Sequence, residues 1–317
     1  MKHLIMAFFL STFFVGCKSA STPVAVASVA TSAFSADSAF SYVASQVAFG
    51  PRIPGSKAHL DCSVYLKNTL AKFADSVIMQ PFSARSWDGK TLQGVNIIAS
   101  FNPSATGRIL LCAHWDSRPY ADNENNTSLH RSPIDGANDG ASGVAVLLEV
   151  ARVLSTSKGV DIVLFDLEDS GKPRFEVSQY GDEKSWCLGS QYWASHPHTN
   201  RISFGILLDM VGVAGARFMQ EGTSLYYAAD VLDKVWATAA TMGYGQFFVY
   251  EKAGAIIDDH LFINQIAGIP TIDIISLDGS TRSGFFKHWH TLQDNISNID
   301  KSSLKMVGDV VLEVVGK

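Results

Sequence analysis

The sequence predicts an α/β protein, a three-layer sandwich whose mixed, mainly parallel central sheet lies between helices. Three observations lead there. Short continuous apolar runs, as at 162–165 and 206–208, suit strands buried on both faces of a parallel sheet. Segments of helical periodicity alternate with those runs along the chain. Acidic and imidazole residues close the runs or open the helices that follow: His114-Trp115-Asp116, Asp139 in Gly-Ala-Asn-Asp-Gly-Ala-Ser-Gly, Glu168-Asp169, Asp209 in Leu-Leu-Asp-Met-Val-Gly, and His290 in His-Trp-His-Thr. In such a sheet the carboxyl ends of the strands meet at one edge.

The 317 residues are 47% apolar, enough for one large core. A net charge of −5 without a Lys/Arg cluster argues against nucleic acid as a partner. Residues 1–17 read as a targeting segment. Lys2 and His3 precede an apolar stretch, 4–15, too short to span a bilayer. Phe14-Val15-Gly16-Cys17 resembles a bacterial lipoprotein signal cut before a lipid-bearing cysteine, with an ordinary secretory signal as the alternative. Acyl chains on Cys17 would hold the protein to a membrane. Residues 18–36, rich in Ser, Ala, Thr and Val, suit a flexible tether, and one catalytic domain is expected over 37–317.

Within that domain, 37–48 and 56–74 look helical, the second carrying Leu60, Val64, Leu66 and Leu70. Gly50, Pro51, Pro54 and Gly55 make 49–55 a turn-rich loop. Strands are expected at 77–82, 95–101 and 109–113, then a polar loop over 117–138. Val144, Leu147, Leu148, Ala151 and Leu154 mark one face of a helix that starts near Asp139. After the run at 162–165 come a polar stretch over 170–185 and helices over 188–195, 231–242 and 259–266. A strand at 271–275 follows, and Asp300 caps a last helix bearing Leu304, Val307, Val311 and Val314. Beyond Cys17 the cysteines are Cys62, Cys112 and Cys187, an odd number that excludes a full disulfide framework. Cys112, inside an apolar run, reads as a buried small hydrophobe, and a Cys62–Cys187 bridge stays open.

Each chemical signal taken singly has a structural explanation: a hydrogen-bonded pair, a helix cap, a satisfied core histidine. Gathered at one edge, the carboxylates would repel and raise one another's pKa values, and a divalent cation would relieve them. Oxygen and imidazole donors without a required thiolate suit zinc with an open catalytic position, and a Glu beside a ligand is the usual general base.

From about Ala39 onward, the order and local patterns resemble the zinc aminopeptidase-like (M28) superfamily, which holds two-metal exopeptidases and one-metal glutaminyl cyclases. Asp258-Asp259-His260, Trp289-His290-Thr291 and Leu207-Leu208-Asp209-Met210-Val211-Gly212 resemble the cyclase branch. The wording around Cys112 to Tyr120 and Gly136 to Gly143 resembles its bacterial members. The resemblance implies one zinc per chain on Asp139, Asp169 and His290, with Glu168 as general base and acid. It implies that Asp209 and Asp259 join a carboxylate network that positions the substrate amine. Trp289, Phe286, Trp186 and Asp258 are expected around the substrate pocket, with Phe285 beside them and a buried structural role as the alternative for both phenylalanines, and His114 and Asp116 as a second metal position or as supports. The implied reaction turns the N-terminal glutamine of peptides or proteins into pyroglutamate with release of ammonia. Two alternatives remain: a two-zinc aminopeptidase using His114 and Asp209, and a non-catalytic peptide-binding lipoprotein. The expected setting is the periplasm, as a monomer anchored through Cys17 to the bacterial envelope, the outer membrane in particular. The sequence departs from animal cyclases at Asp169, where they carry Glu, and at Val144, where they carry a disulfide cysteine. The family also implies a cis peptide after Asp139.

Overall fold

The computed structural model describes residues 1, 34–155, 157–177 and 183–316. The expected signal segment, Cys17 and the first part of the expected tether therefore lie outside the described residues, apart from Met1. Phe34, inside the segment expected to be tether, is packed: its buried ring lies against Gly308. Ser35 then caps the first helix by accepting the Ser38 N–H.

A six-stranded sheet forms the centre. Its strands in chain order are β1 (Ser76–Arg85), β2 (Thr91–Phe101), β3 (Arg108–His114), β4 (Val160–Phe165), β5 (Ile202–Asp209) and, after a separate pair, β8 (Thr271–Ile275). That separate pair is β6 (Phe218–Gln220) with β7 (Phe248–Lys252). The spatial order of the sheet is β1-β2-β4-β3-β5-β8. β1, β2 and β4 pair antiparallel; β4, β3, β5 and β8 pair parallel. The mixed, mainly parallel sheet is thus present, with its antiparallel part at one edge.

The central strands are apolar on both faces, and their period of two sorts side chains between two cores. On one face, Ile109, Leu111 and Ala113 of β3 join Ile162 and Leu164 of β4 and Ile206 and Leu208 of β5. Helices α1 (Ala36–Val47), α3 (Ala141–Val153), α6 (Ala229–Thr241) and α8 (Lys301–Gly316) contribute to that core. On the other, Leu110, Cys112, Val163, Phe165 and Leu207 meet Trp193 of α4 (Leu188–Ser195) and Ile263, which follows α7 (Asp259–Phe262). The two remaining helices are α2 (Lys57–Leu70) and α5 (Gly222–Tyr227).

Most expected elements are present with shifted ends. α2 stops four residues early, and the helix expected over 259–266 is α7 followed by a π-turn, Ile263–Ala267. There Asn264 donates to the His260 and Thr271 carbonyls and accepts the Thr271 N–H, tying the helix to the start of β8. Neither α5 nor the β6/β7 pair was expected; β6 has three residues and α5 six, too few to show a periodicity. Cys62, Cys112 and Cys187 are free and buried, so the Cys62–Cys187 bridge is absent. Cys62 packs within the core of α2's face, whereas Cys187 faces Glu168. Asp300 caps α8 as expected, its carboxylate accepting the N–H groups of Ser302 and Ser303.

No described peptide bond is cis, which corrects the expectation after Asp139. Gly140 instead takes a left-handed φ of 67°, and a Cβ there would stand 2.5 Å from the His114 carbonyl oxygen. Glycine is thus required for α3 to begin beside the end of β3. Gly143, one turn on, lets α3 approach β5: a Cβ there would lie 2.1 Å from the Leu208 oxygen and 3.0 Å from its carbonyl carbon. Gly143→Ala is expected to force helix and strand apart and to lower stability by about 1–3 kcal/mol. The shift of the urea unfolding midpoint at constant m-value measures it.

Candidate metal and catalytic site

Three parallel strands end side by side, and the site is built on their ends. His114 is the last residue of β3 and Asp209 the last of β5, while Glu168 and Asp169 follow the end of β4. Asp139 comes from the turn before α3, and His290 from the segment after β8. All six are buried.

Hydrogen bonds fix the backbone of each ligand-bearing turn. Asp116 accepts the N–H groups of Glu168 and Asp169 at 3.1 and 3.2 Å, so the loop after β3 sets the loop after β4. Asp294 does the same for Asn138 and Asp139, at 2.8 and 3.1 Å. Leu167 and His290 hold left-handed φ angles of 60° and 54°. Such values cost a non-glycine residue energy, and at His290 the surrounding packing imposes the conformation.

Asp139, Asp169 and His290 form a compact donor set, with one donor atom of each within 4.8 Å of the others. His290 Nε2 lies 3.2 Å from Asp169 Oδ1 and 3.5 Å from Asp139 Oδ2. Asp139 Oδ2 and Asp169 Oδ2 are buried and accept no hydrogen bond from a described residue. Two carboxylates and one imidazole, with oxygens otherwise left unsatisfied, fit zinc with one position open for substrate or water. Behind His290, Nδ1 lies 3.1 Å from Asp122 Oδ1. Asp122 is in turn bound by Arg118 Nη2 at 2.7 Å. A carboxylate on the far nitrogen orients a metal-binding imidazole and fixes its tautomer. Arg118 also donates to the Asp169 and Gly171 carbonyls and lies over the Trp186 ring at 4.4 Å.

The electrostatics follow from the crowding. Burial, with Asp169 adjacent, pushes the Asp139 carboxyl up to about 6. Burial and Asp169 likewise raise Glu168 well above the usual carboxylate range. Burial, and then Asp209, lift Asp258 to about 7. For His290 burial opposes the charge, but Asp169 and Asp122 outweigh it and raise the ring to about 9.

Nearby, His114 Nε2 stands 3.0 Å from Asp139 Oδ1 and 3.3 Å from Asp209 Oδ1, while its Nδ1 is 3.5 Å from Asp116. His114, Asp139 and Asp209 make a second group of donor atoms within 4.8 Å of one another. Asp116 thus lies beside this second group, behind His114.

Above these groups opens a cavity of about 630 Å³. Trp186, Phe285 and Trp289 are among its walls, with Glu168, Asp209 and Asp258 at its polar end. The Trp289 ring stacks on His290 at 3.8 Å between centroids. Two expectations need correction. Phe286 does not line the cavity; it is turned into a small core with Met210, Ile275 and Leu277, and its neighbour Phe285 takes the wall. Asp259 is fully buried in the first turn of α7, outside the lining, whereas Asp258, the residue before that helix, is on the cavity wall within 4.8 Å of Glu168. Asp122, Asp294 and Arg118 were missed. They lie in irregular polar stretches, and only the motif-like neighbourhood of Asp294 after His290 carried any signal.

A mixed sheet with carboxylates and imidazoles gathered at its parallel edge defines the zinc-exopeptidase-like class. The family model of peptidase family M28 matches residues 96–315, and the chain belongs to that family. It is similar to the crystal structure of Bacteroides thetaiotaomicron glutaminyl cyclase bound to N-acetylhistamine: 48% identity over 90% of this chain and 98% of that one, TM-score 0.87. A zinc-dependent exopeptidase from Parabacteroides distasonis is 47% identical over the same shares, also at TM-score 0.87. The bovine glutaminyl-peptide cyclotransferase is 24% identical over 82% of this chain and 76% of its own length.

Zinc must displace protons from this site, because its ligands bind deprotonated. In the metal-free protein His290, near 9, holds a proton at neutral pH, and Asp139, near 6, gains one below that value. Zinc affinity is therefore expected to rise roughly tenfold per pH unit between 6 and 9, and more steeply below 6. Competition with a chelator across that range measures it. Asp122→Asn is expected to weaken zinc binding about 10–100-fold at fixed pH.

Proposed function

We propose that the chain converts the N-terminal glutamine of peptides and proteins to pyroglutamate with release of ammonia. The observation that carries this reading is one arrangement. The Asp139–Asp169–His290 donor set, the Glu168 and Asp258 carboxylates and an aromatic wall all face one cavity.

The reaction joins the α-nitrogen to the side-chain amide carbon and breaks that carbon's bond to nitrogen. One proton must leave the amine and one must reach the departing ammonia. Glu168 is the group for both transfers: burial and Asp169 raise its proton affinity, as a base working on an amine requires. Asp258 and Asp209, on the same wall, attract the substrate's cationic amine before it is deprotonated. Asp139, Asp169 and His290 would hold the zinc, which when bound would supply Lewis-acid polarisation of the side-chain carbonyl. Trp186, Phe285 and Trp289 fold the glutamine side chain back on itself and exclude water, which would hydrolyse the amide instead.

A second reading has an observation of its own. Asp139 turns Oδ1 to His114 and Oδ2 to His290, so two donor sets share this one carboxylate. That geometry favours a two-zinc aminopeptidase, with His114 and Asp209 completing the second position. Zinc stoichiometry and the mass of the product separate the two. One zinc and loss of ammonia from an intact peptide support the cyclase; two zincs and free glutamine support the peptidase. We also propose that the protein acts as a monomer carrying a single zinc. In this reading it is held by a lipid on Cys17 to the bacterial envelope, facing the periplasm at the outer membrane. The apolar segment over 4–15 ahead of Gly16-Cys17 supports that setting.

Glu168→Gln is expected to lower kcat by about 10²–10⁴-fold while zinc content stays that of the wild type, since Glu168 is outside the proposed ligand set. Steady-state kinetics with metal analysis on one preparation checks both.

A further inference from the structure

We propose that the Cys187 thiol positions the catalytic carboxylate of Glu168 by donating a hydrogen bond to Oε1, so that Oε2 is presented to the substrate. The inference rests on the reading of Glu168 as the base.

Cys187 Sγ stands 3.2 Å from Glu168 Oε1, the one hydrogen bond that a described residue gives this carboxylate. The thiol is held where it is by its backbone. The Cys187 N–H bonds the Glu168 carbonyl at 3.0 Å, and the Leu188 N–H bonds the Leu167 carbonyl at 3.1 Å. A left-handed φ of 55° at Cys187 turns the chain into α4, and Ser190 Oγ donates to the Cys187 carbonyl at 3.0 Å. Gly189 lets this corner sit on the end of β4: a Cβ there would be 2.2 Å from the Asp166 oxygen.

Glu168 needs such a contact because its other neighbours repel it. Asp169 is adjacent, and Asp258 offers an oxygen within 4.8 Å of Cys187 Sγ and of a Glu168 carboxylate oxygen. Like charges at that range push a flexible carboxylate away unless a donor holds it. A cation or backbone N–H would hold it more firmly, but would also lower its proton affinity. An S–H is a weak donor, so it selects the rotamer at little cost in basicity. Burial, reinforced by Glu168, keeps this thiol protonated and therefore a donor.

The test compares Cys187→Ala with Cys187→Ser on a short peptide with N-terminal glutamine, the product followed by mass and zinc measured in each protein. Loss of the donor in Cys187→Ala is expected to lower kcat about tenfold with KM and zinc unchanged, since a base out of place forfeits part of its contribution. Serine, which keeps a donor, should retain most of kcat. A Cys187→Ala kcat equal to wild type, or an equal loss in both variants, overturns the proposal. The hydrogen bond is also read without turnover. The Raman S–H band that disappears in Cys187→Ala should move to higher frequency in Glu168→Gln, because a neutral amide oxygen accepts more weakly than a carboxylate. A band that stays in place overturns the proposal as well. If the wild type releases free glutamine rather than ammonia, cyclisation is wrong as the function. The same kcat comparison on that hydrolysis then still decides the role of Cys187.

Discussion

Buried like charge is the constraint from which the rest of this structure follows. Asp139, Glu168, Asp169, Asp209 and Asp258 line one cavity and are themselves buried, where charges interact more strongly than in bulk water. Parallel β3, β4 and β5 make the crowding unavoidable, because the chemistry sits on or just beyond their last residues. Burial and mutual repulsion drive several of these groups toward protonation, and a divalent cation on the donor set is the other way to relieve them. The same crowding raises the proton affinity of Glu168.

The surrounding polar residues make sense as responses to that constraint. Asp116 and Asp294 are acids added to an already acidic site, yet each is turned to accept two backbone N–H groups and so fixes a ligand-bearing turn. Arg118 is the buried cation of the site. It binds Asp122 and the Asp169 carbonyl and stacks on Trp186, so that Asp169, the carboxylate behind His290 and the cavity wall share one support. Another buried ion pair, Arg108 with Asp161, shows what the fold does where no chemistry is needed. Two hydrogen bonds of 2.6 and 2.7 Å, with Ser100 also donating to Asp161, leave neither Asp161 oxygen free. At the parallel edge, by contrast, Asp139 Oδ2 and Asp169 Oδ2 have no donor among the described residues.

A site of this kind separates two closely related chemistries by small means. The two-metal reading and the one-metal reading use the same strand ends. They differ in what occupies the space between His114, Asp139 and Asp209, and in whether water reaches the amide. The aromatic wall of Trp186, Phe285 and Trp289 belongs to that second question. So does the Trp186-Cys187 corner, which places one cavity wall and the contact to Glu168 on consecutive residues.

The sequence by itself determined the strands of the central sheet, most of the helices that cover it, and the positions of His114, Asp139, Glu168, Asp169 and Asp209 at strand ends or a helix start: these are short-range signals, read from periodicity and from residues that end a strand or open a helix. His290 was legible from its motif alone. Tertiary structure decided the rest. Whether Asp258 or Asp259 faces the cavity depends on the rotation of a four-residue helix, and Phe285 against Phe286 on which way an irregular segment turns. Asp122, 168 residues from His290, and Asp294, more than 150 from Asp139, act through contacts that no local pattern encodes. Periodicity reports which face of an element is apolar. It carries no information on which distant carboxylate will be needed to hold a ligand still.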